Sequence, residues 1–265
     1  MARRYLSKHI LEDQQEFIKL LDDHEIDIFT IGEIEKMIGK LFNNLHGILE
    51  NLIEKEFLSR IERGKYCRHN FRDELVIGCK LVDDGAVAYW SALNRHGLTE
   101  QFPNTVFIQT TKIKADKTVF GVSYQFVKIN PRKRNGIQTE GYGNHKYRLT
   151  DIEKTIVDCF DLPQYSGGYP ELIRAFDQAT PDQDKLVEYC KAIGNISVLK
   201  RLAFLTGLLE KNKMSRFLKY AEGQVNPRYV LMDPFGEESG VFNNKWKLRL
   251  NISEEEIRSI CSKLY

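Results

Sequence analysis

Between positions 41 and 53 the side chains Leu41, Leu45, Ile48, Leu49, Leu52 and Ile53 follow one another at intervals of four, three, one, three and one. An α-helix gathers these six on one stripe, and a stripe of that width must be covered by neighbouring elements. The opposite face is uneven. It carries Lys40, Asn43, Asn44, Gly47 and Asn51 early, with Glu50 and Glu54 only later. Amides and a cation are thereby grouped in the first two turns, the part of a recognition helix that meets base edges.

The flanking stretches define the setting of this helix. Upstream, Phe17, Leu20 and Leu21 recur at helical spacing behind Asp13, which can cap them. The segment "IDIFT" reads as a short strand. Thr30 with Glu33 then forms a capping-box signature ahead of Ile34, Met37 and Ile38, and Gly39 breaks this second helix. Downstream, "FLSRIERGKYCRH" predicts two strands joined by a tight turn at Arg63-Gly64, with Arg60, Arg63, Lys65 and Arg68 making the hairpin basic. Two short helices, a long one and a basic hairpin form a winged helix-turn-helix over residues 1–71. Asparagine offers the donor and acceptor that match adenine N6 and N7, while arginine and lysine on a wing neutralise phosphates. Winged helices also dock proteins. The excess of acids over bases in residues 1–38 fits that use as well.

A new pattern starts at residue 72, and residues 72–265 read as a larger α+β domain, so the expected fold class of the chain is α+β. "TVFIQTTK", "TVFGVSYQFVKI" and "KYRLT" are β-branched and aromatic, each predicting a strand. Helices are expected through Ile156 and Phe160, through "YPELIRAFDQA", "QDKLVEYCKAIG" and "SVLKRLAFLTGLLEKNKM", and after Ser253, which with Glu256 forms a second capping box. "RYVLMDP" and "KWKLRLNI" read as strands returning to the same sheet. Residues 109–149 hold nine basic side chains, Lys112, Lys114, Lys117, Lys128, Arg132, Lys133, Arg134, Lys146 and Arg148, against Asp116 and Glu140. That local excess of seven positive charges attracts a polyanion or an acidic protein surface, or is simply a solvated rim.

"DIEKTIVDCFDLPQYSGGYPEL", residues 151–172, combines carboxylates, a lysine, a thiol and a Gly-Gly pair, the ingredients of an active site. Asp151 and Glu153 fall in a helical first turn, where acids complement the helix dipole. Asp158 and Cys159 lie on or beside the buried stripe, and Gly167-Gly168 makes a turn. No phosphate loop, nucleophile elbow or zinc-protease motif accompanies them. The five cysteines are odd in number and never paired as C-x-x-C, so no metal, cofactor or disulfide framework is expected. Without an apolar run of membrane-spanning length or a signal-like start, the chain reads as cytoplasmic and free of the membrane. An alternative remains, a nucleic-acid-processing enzyme whose basic sheet face grips its substrate beside Asp151 and Asp158.

Several stretches together carry a family likeness. "YWSALNRHGLTEQFPNTVFIQTTK", "LTDIEKTIVDCFDLPQYSGGYPEL", "VLKRLAFLTGLLE" and "YVLMDP" followed by "NKWKLRLNI" resemble the AbiEi family of antitoxins and viral-defence transcriptional regulators, over nearly the whole chain. The resemblance implies a type IV toxin-antitoxin system and no enzymatic activity of this chain's own. In such a system the winged helix binds inverted repeats in its own promoter and represses it. The C-terminal domain counteracts a nucleotidyltransferase toxin without a stable complex. It also implies that Asp151, Glu153, Lys154, Thr155 and Asp158 are scaffold. Lys40, Asn43, Asn44 and Gly47 with Arg60, Arg63, Lys65 and Arg68 are then the DNA contacts. Lys112, Lys114, Lys128, Arg132, Lys133, Arg134, Lys146 and Arg148 form a second DNA contact or the antitoxin surface.

Overall fold

The computed structural model describes residues 9–38 and 42–262, and these build an α+β chain of three sheets and their covering helices. The first segment runs α1 (Glu12–Asp23), β1 (Ile28–Thr30), α2 (Ile31–Ile38), α3 (Leu45–Glu54), β2 (Leu58–Glu62) and β3 (Lys65–Arg68). The strands form an antiparallel sheet in the order β1-β3-β2, with Phe29 opposite Tyr66 and Ser59 opposite Cys67. Phe17, Leu21, Ile34, Ile48, Leu49 and Leu52 from the three helices bury against Phe29, Leu58 and Tyr66. The aliphatic stripe of α3 therefore faces this sheet, although Leu41 and Lys40 lie outside the described residues. The capping box at α2 is complete: Thr30 N donates to Glu33 Oε2 at 2.7 Å and Glu33 N to Thr30 Oγ1 at 3.1 Å.

Two helix starts differ from expectation. α1 begins before Asp13, which sits inside its first turn and not at the cap. α3 begins at Leu45, a turn later than the stripe suggests, because Asn44 occupies the N-cap and its side chain accepts from Gly47 N at 3.1 Å. Asparagine satisfies a free helical N–H best from outside the helix, so it ends the coil there.

The chain continues through α4 (Glu74–Leu81), β4 (Ala86–Val87), α5 (Tyr89–Arg95), β5 (Thr105–Thr110), β6 (Lys117–Val119), β7 (Val122–Lys128), β8 (Ile137–Glu140) and β9 (Tyr147–Thr150). β4 to β9 form one mixed sheet in the order β6-β7-β5-β4-β9-β8, in which β5 and β7 run parallel, as do β4 and β9. Side chains alternate across it. Val106 and Ile108 point to the core shared with α4, and Phe107 points to the helical layer. The run "TVFGVSYQFVKI" is two strands, not one, since Phe120 and Gly121 both take positive φ and fold it into a hairpin.

The helical layer comprises α6 (Ile152–Asp161), α7 (Tyr169–Gln178), α8 (Gln183–Ile193), α9 (Ile196–Leu208) and α10 (Ser215–Gln224). β10 (Val230–Leu231), β11 (Val241–Asn243), β12 (Leu248–Leu250) and α11 (Glu254–Ser262) complete the chain. The late strands do not return to the large sheet. They make a third sheet, β10-β12-β11, whose Leu248 and Leu250 plug into the helical core.

The expected boundary near residue 72 is crossed by a continuous core. Ile28, Ile61, Cys67 and Phe71 share one apolar cluster with Val76, Ile77, Val106, Ile108 and Leu149. The β8–β9 turn also reaches back over the seam. Asn144 Nδ2 donates to the His24 and Glu25 carbonyls, His145 Nε2 lies 2.8 Å from Asp27 Oδ2, and the His145 ring rests on Phe71. Among the described residues no helix is long and apolar enough to cross a membrane.

Candidate functional site

Three groups of residues have chemistry to offer, and the first two meet at Glu62. The first is the exposed face of α3 with the β2–β3 hairpin. Asn43 is exposed in the turn before the helix, and His46 is exposed in its first turn. His46 was legible only as one of several scattered histidines. Its placement four residues before Glu50 puts it on the same outward face of α3 as Glu50. Asn44 is exposed, but its side-chain oxygen is committed to the cap. Gly47 is tied to this cap, because a Cβ there would run into the folded-back Asn44 side chain. Asn44→Ala is therefore expected to lower stability by about 1 kcal/mol through loss of the cap, measured by urea unfolding, independently of any nucleic acid.

The hairpin cations are unequal. Arg60 pairs with Glu50 of α3 and lies over the Tyr66 ring. Arg68 pairs with Asp22 of α1 and donates to the Ile26 carbonyl. Lys65 lies 2.9 Å from Glu62 and donates to the Leu81 carbonyl at 2.7 Å. These three hold the segment together. Arg63, exposed at the tip beside Gly64, has no partner among the described residues. Arg60 and Glu50 are both about half exposed, and such pairs contribute only about 0–1 kcal/mol, so Arg60 can exchange its carboxylate for another anion at little cost.

The second group is the basic stretch of residues 109–149, which the fold divides. Lys114 and Lys117 join Lys65 around the single carboxylate of Glu62, at 3.0 and 3.1 Å. Burial alone would raise Glu62, but the three ammonium groups outweigh it and hold its carboxyl down to about 2. Lys112 pairs with Asp83, Arg148 donates to the Asp83 and Gly85 carbonyls, and Lys133 pairs with Asp161 at 2.7 Å. Lys128, Arg132, Arg134 and Lys146 are exposed and have no carboxylate partner among the described residues. Lys128 ends β7 beside Thr110, the last residue of β5, and Arg134 donates to the carbonyl of Asp84, whose carboxylate binds Thr110 and Thr111. Lys128 and Arg134 thus lie at the C-terminal ends of two parallel strands, whereas Lys146 directly precedes β9.

The third group is the start of α6. Asp151 caps it, accepting from Lys154 N at 2.8 Å and from Tyr189 Oη at 2.8 Å. Glu153 accepts from Asp182 N at 2.7 Å, and Thr155 and Thr150 share a hydrogen bond of 2.7 Å. The His96 Nε2 donates to the Thr150 carbonyl at 2.7 Å, since that oxygen can only accept. Lys154 and Asp158 form an ion pair one turn apart, both buried, and the second oxygen of Asp158 has no partner. Burial pushes the Asp158 carboxyl up to about 6 against the opposing pull of Lys154. Gly136 closes over this pair with φ +64°, and a Cβ there would stand 2.7 Å from Lys154 Cβ and 2.8 Å from the Tyr189 ring. Each of Asp151, Glu153, Lys154, Thr155 and Asp158 is thus consumed by an internal contact. Among the described residues no three His, Cys, Asp or Glu side chains are grouped to hold a metal ion.

Neither a family model nor a curated protein matches the chain. Among solved structures, the crystal structure of the Rv2827c protein from Mycobacterium tuberculosis is similar over 97% of both chains, with a TM-score of 0.64 and 14% sequence identity. A likeness at that identity is one of fold.

Proposed function

We propose that this chain is a DNA-binding antitoxin of the AbiEi type, which represses its own promoter through residues 9–71 and counteracts a nucleotidyltransferase toxin through the remainder. The observation that carries the proposal is the exposure of Asn43, Asn44 and His46 at the start of α3 and of Arg63 at the tip of the hairpin that follows it. The order α1-β1-α2-α3-β2-β3, with β1 completing the hairpin sheet, supports reading this segment as a winged helix. In that reading α3 enters the major groove and the hairpin tip touches the flanking phosphates. The consumed state of the α6 carboxylates supports a scaffold role for the stretch that first looked catalytic.

The roles of the contacts separate by their response to sequence and salt. Asn43→Ala is expected to cost about 1 to 3 kcal/mol at one base step of the operator and little on scrambled duplex. Arg63→Ala weakens all duplexes alike and reduces the salt slope by about one unit. Fluorescence anisotropy of the pure protein with its own upstream DNA, against a scrambled duplex across a salt series, measures both. Equal affinity of the unaltered protein for the two duplexes would overturn the repressor half. For the antitoxin half, glutamate at Lys128, Arg132 and Arg134 is expected to abolish rescue of growth on co-expression with the partner toxin while leaving operator binding intact. Full rescue by that variant removes those strand-end cations from the antitoxin surface.

A further inference from the structure

The third sheet presents an outer face that neither the promoter-binding segment nor the strand-end cations account for. In its register Phe242 of β11 stands opposite Arg249 of β12, and Leu231 of β10 stands opposite the same Arg249, so these three share one side. Leu248 and Leu250 occupy the other side and are buried. Tyr229, just before β10, meets Phe242 edge-on with ring centroids 4.9 Å apart. Phe242 remains 58% exposed, whereas Val241 pairs with Leu250 and belongs to the other side. A phenyl ring left mostly in water beside a second, partly exposed ring marks a contact surface.

Cations are interleaved with these rings. Lys247 Nζ lies 5.3 Å from the Tyr229 ring centre, and the Arg249 guanidinium lies 5.5 Å from that of Phe242. Beneath them Lys200 of α9 is buried, its ammonium donating to Asn226 Oδ1 at 2.7 Å and to the Arg228 carbonyl. Lys200, Arg228 and Lys247 have no carboxylate partner among the described residues, and Glu238 approaches Arg249 only to 4.0 Å. Burial, then the charges of Lys247 and Arg228, hold the Lys200 ammonium below its ordinary range. Like charges gathered without a counter-charge raise the energy of the free protein and are relieved by an anion.

We propose that this face binds single-stranded nucleic acid, with Phe242 and Tyr229 stacking bases and Arg228, Lys247 and Arg249 meeting the phosphates. Aromatic rings alternating with cations on a sheet accept any unpaired base through its π-face, and the cations track the backbone. A duplex cannot use the rings, because its bases are already stacked. A protein partner would find apolar rings here but would have to supply acids for the unpaired Arg228 and Lys247. The surface is separate from the α3–hairpin segment, so its test is separate also.

The test is fluorescence anisotropy of the full chain with labelled dT12 and U12, with and without excess unlabelled duplex. The expected result is salt-dependent binding that the duplex does not abolish and that Arg63→Ala does not change. Phe242→Ala should weaken it between about five- and 150-fold, the range of a single base–aromatic stack, and Phe242→Trp should retain it. Arg228→Ala with Lys247→Ala should lower the salt slope by about 1.4. These side chains lie on the surface, and an unchanged thermal midpoint verifies that the variants fold. Absence of binding to either oligonucleotide overturns the proposal, as does binding that is insensitive to Phe242→Ala or is fully displaced by duplex. Equal affinity for the mononucleotide dTMP and for dT12 also overturns it, since a strand must gain from its length.

Discussion

Lys154→Met is expected to lower the unfolding free energy by about 3 to 5 kcal/mol, because it leaves the Asp158 carboxylate buried without a counter-charge. Methionine fills most of the space of lysine, so the loss reports charge and not a cavity. The paired change Lys154→Met with Asp158→Leu removes both ions and should return the protein to within about 1 to 2 kcal/mol of the starting stability, or above it. Urea unfolding of the single and double variants measures the difference. The pH dependence has a fixed sign. Burial already raises Asp158 above its ordinary range to about 6, and without Lys154 it rises further. An acid whose folded pKa exceeds its unfolded one takes up a proton on folding, so stability increases as the pH falls through that window. The deficit of Lys154→Met should therefore shrink from pH 8 to pH 5. A deficit that is constant over that range, or a double variant as unstable as the single, would contradict the account.

Glu62→Gln should produce the second large change. Glu62 is the shared counter-charge of Lys65, Lys114 and Lys117, and an amide in its place leaves three cations facing one another. The junction between the β2–β3 hairpin and β6 is expected to loosen by about 1 to 3 kcal/mol, the scale of a charged hydrogen bond. At the same time the released lysines become available to phosphates. Under the proposed duplex binding, engagement of two of them should steepen the salt slope by about 1.8, so that a fourfold rise in salt weakens binding by about tenfold more than in the unaltered protein. The sign with pH is opposite to that of Asp158. The folded pKa of Glu62, about 2, lies below its ordinary value, so its contribution is complete above about pH 4.5 and is lost as the pH falls toward 2. A duplex titration that shows an unchanged slope would mean the lysines stay sequestered without Glu62.

The contrast between these two sites explains what could be read from the amino-acid order. The caps at Thr30–Glu33 and Ser253–Glu256 are local, each closed within three residues, and they were legible, whereas Asp151, expected in the first turn of α6, is its N-cap. The start of α3 was misplaced because the aliphatic stripe runs on through Leu41, whereas the backbone obeys Asn44. The strand read through Phe120 was really a hairpin, since an aromatic residue at positive φ gives no turn signal. β10 and β12 were assigned to the wrong sheet because side-chain alternation fixes a strand's faces and not its neighbour. The cations of the hairpin and of the basic stretch looked free in sequence, yet Arg68 finds Asp22 at a separation of 46 residues and Lys114 finds Glu62 at 52. Only Arg63, at the turn itself, was recognisable as exposed by position alone.

The apolar seam at Phe71 and the grip of Asn144 and His145 on the turn after α1 bear on how the two halves are to be studied. A cut after residue 71 would not release a finished module. It would uncover Ile28, Ile61, Cys67 and Phe71 at once on one piece, and Val76 and Ile77 on the other. Each piece would carry a sticky wall where the intact chain has an interior. Because the halves are welded, the angle between α3 and the large sheet is a built-in property of the monomer. If copies of the chain sit side by side on an inverted repeat, the spacing of the two half-sites is set by the girth of the whole body, not by the length of a tether.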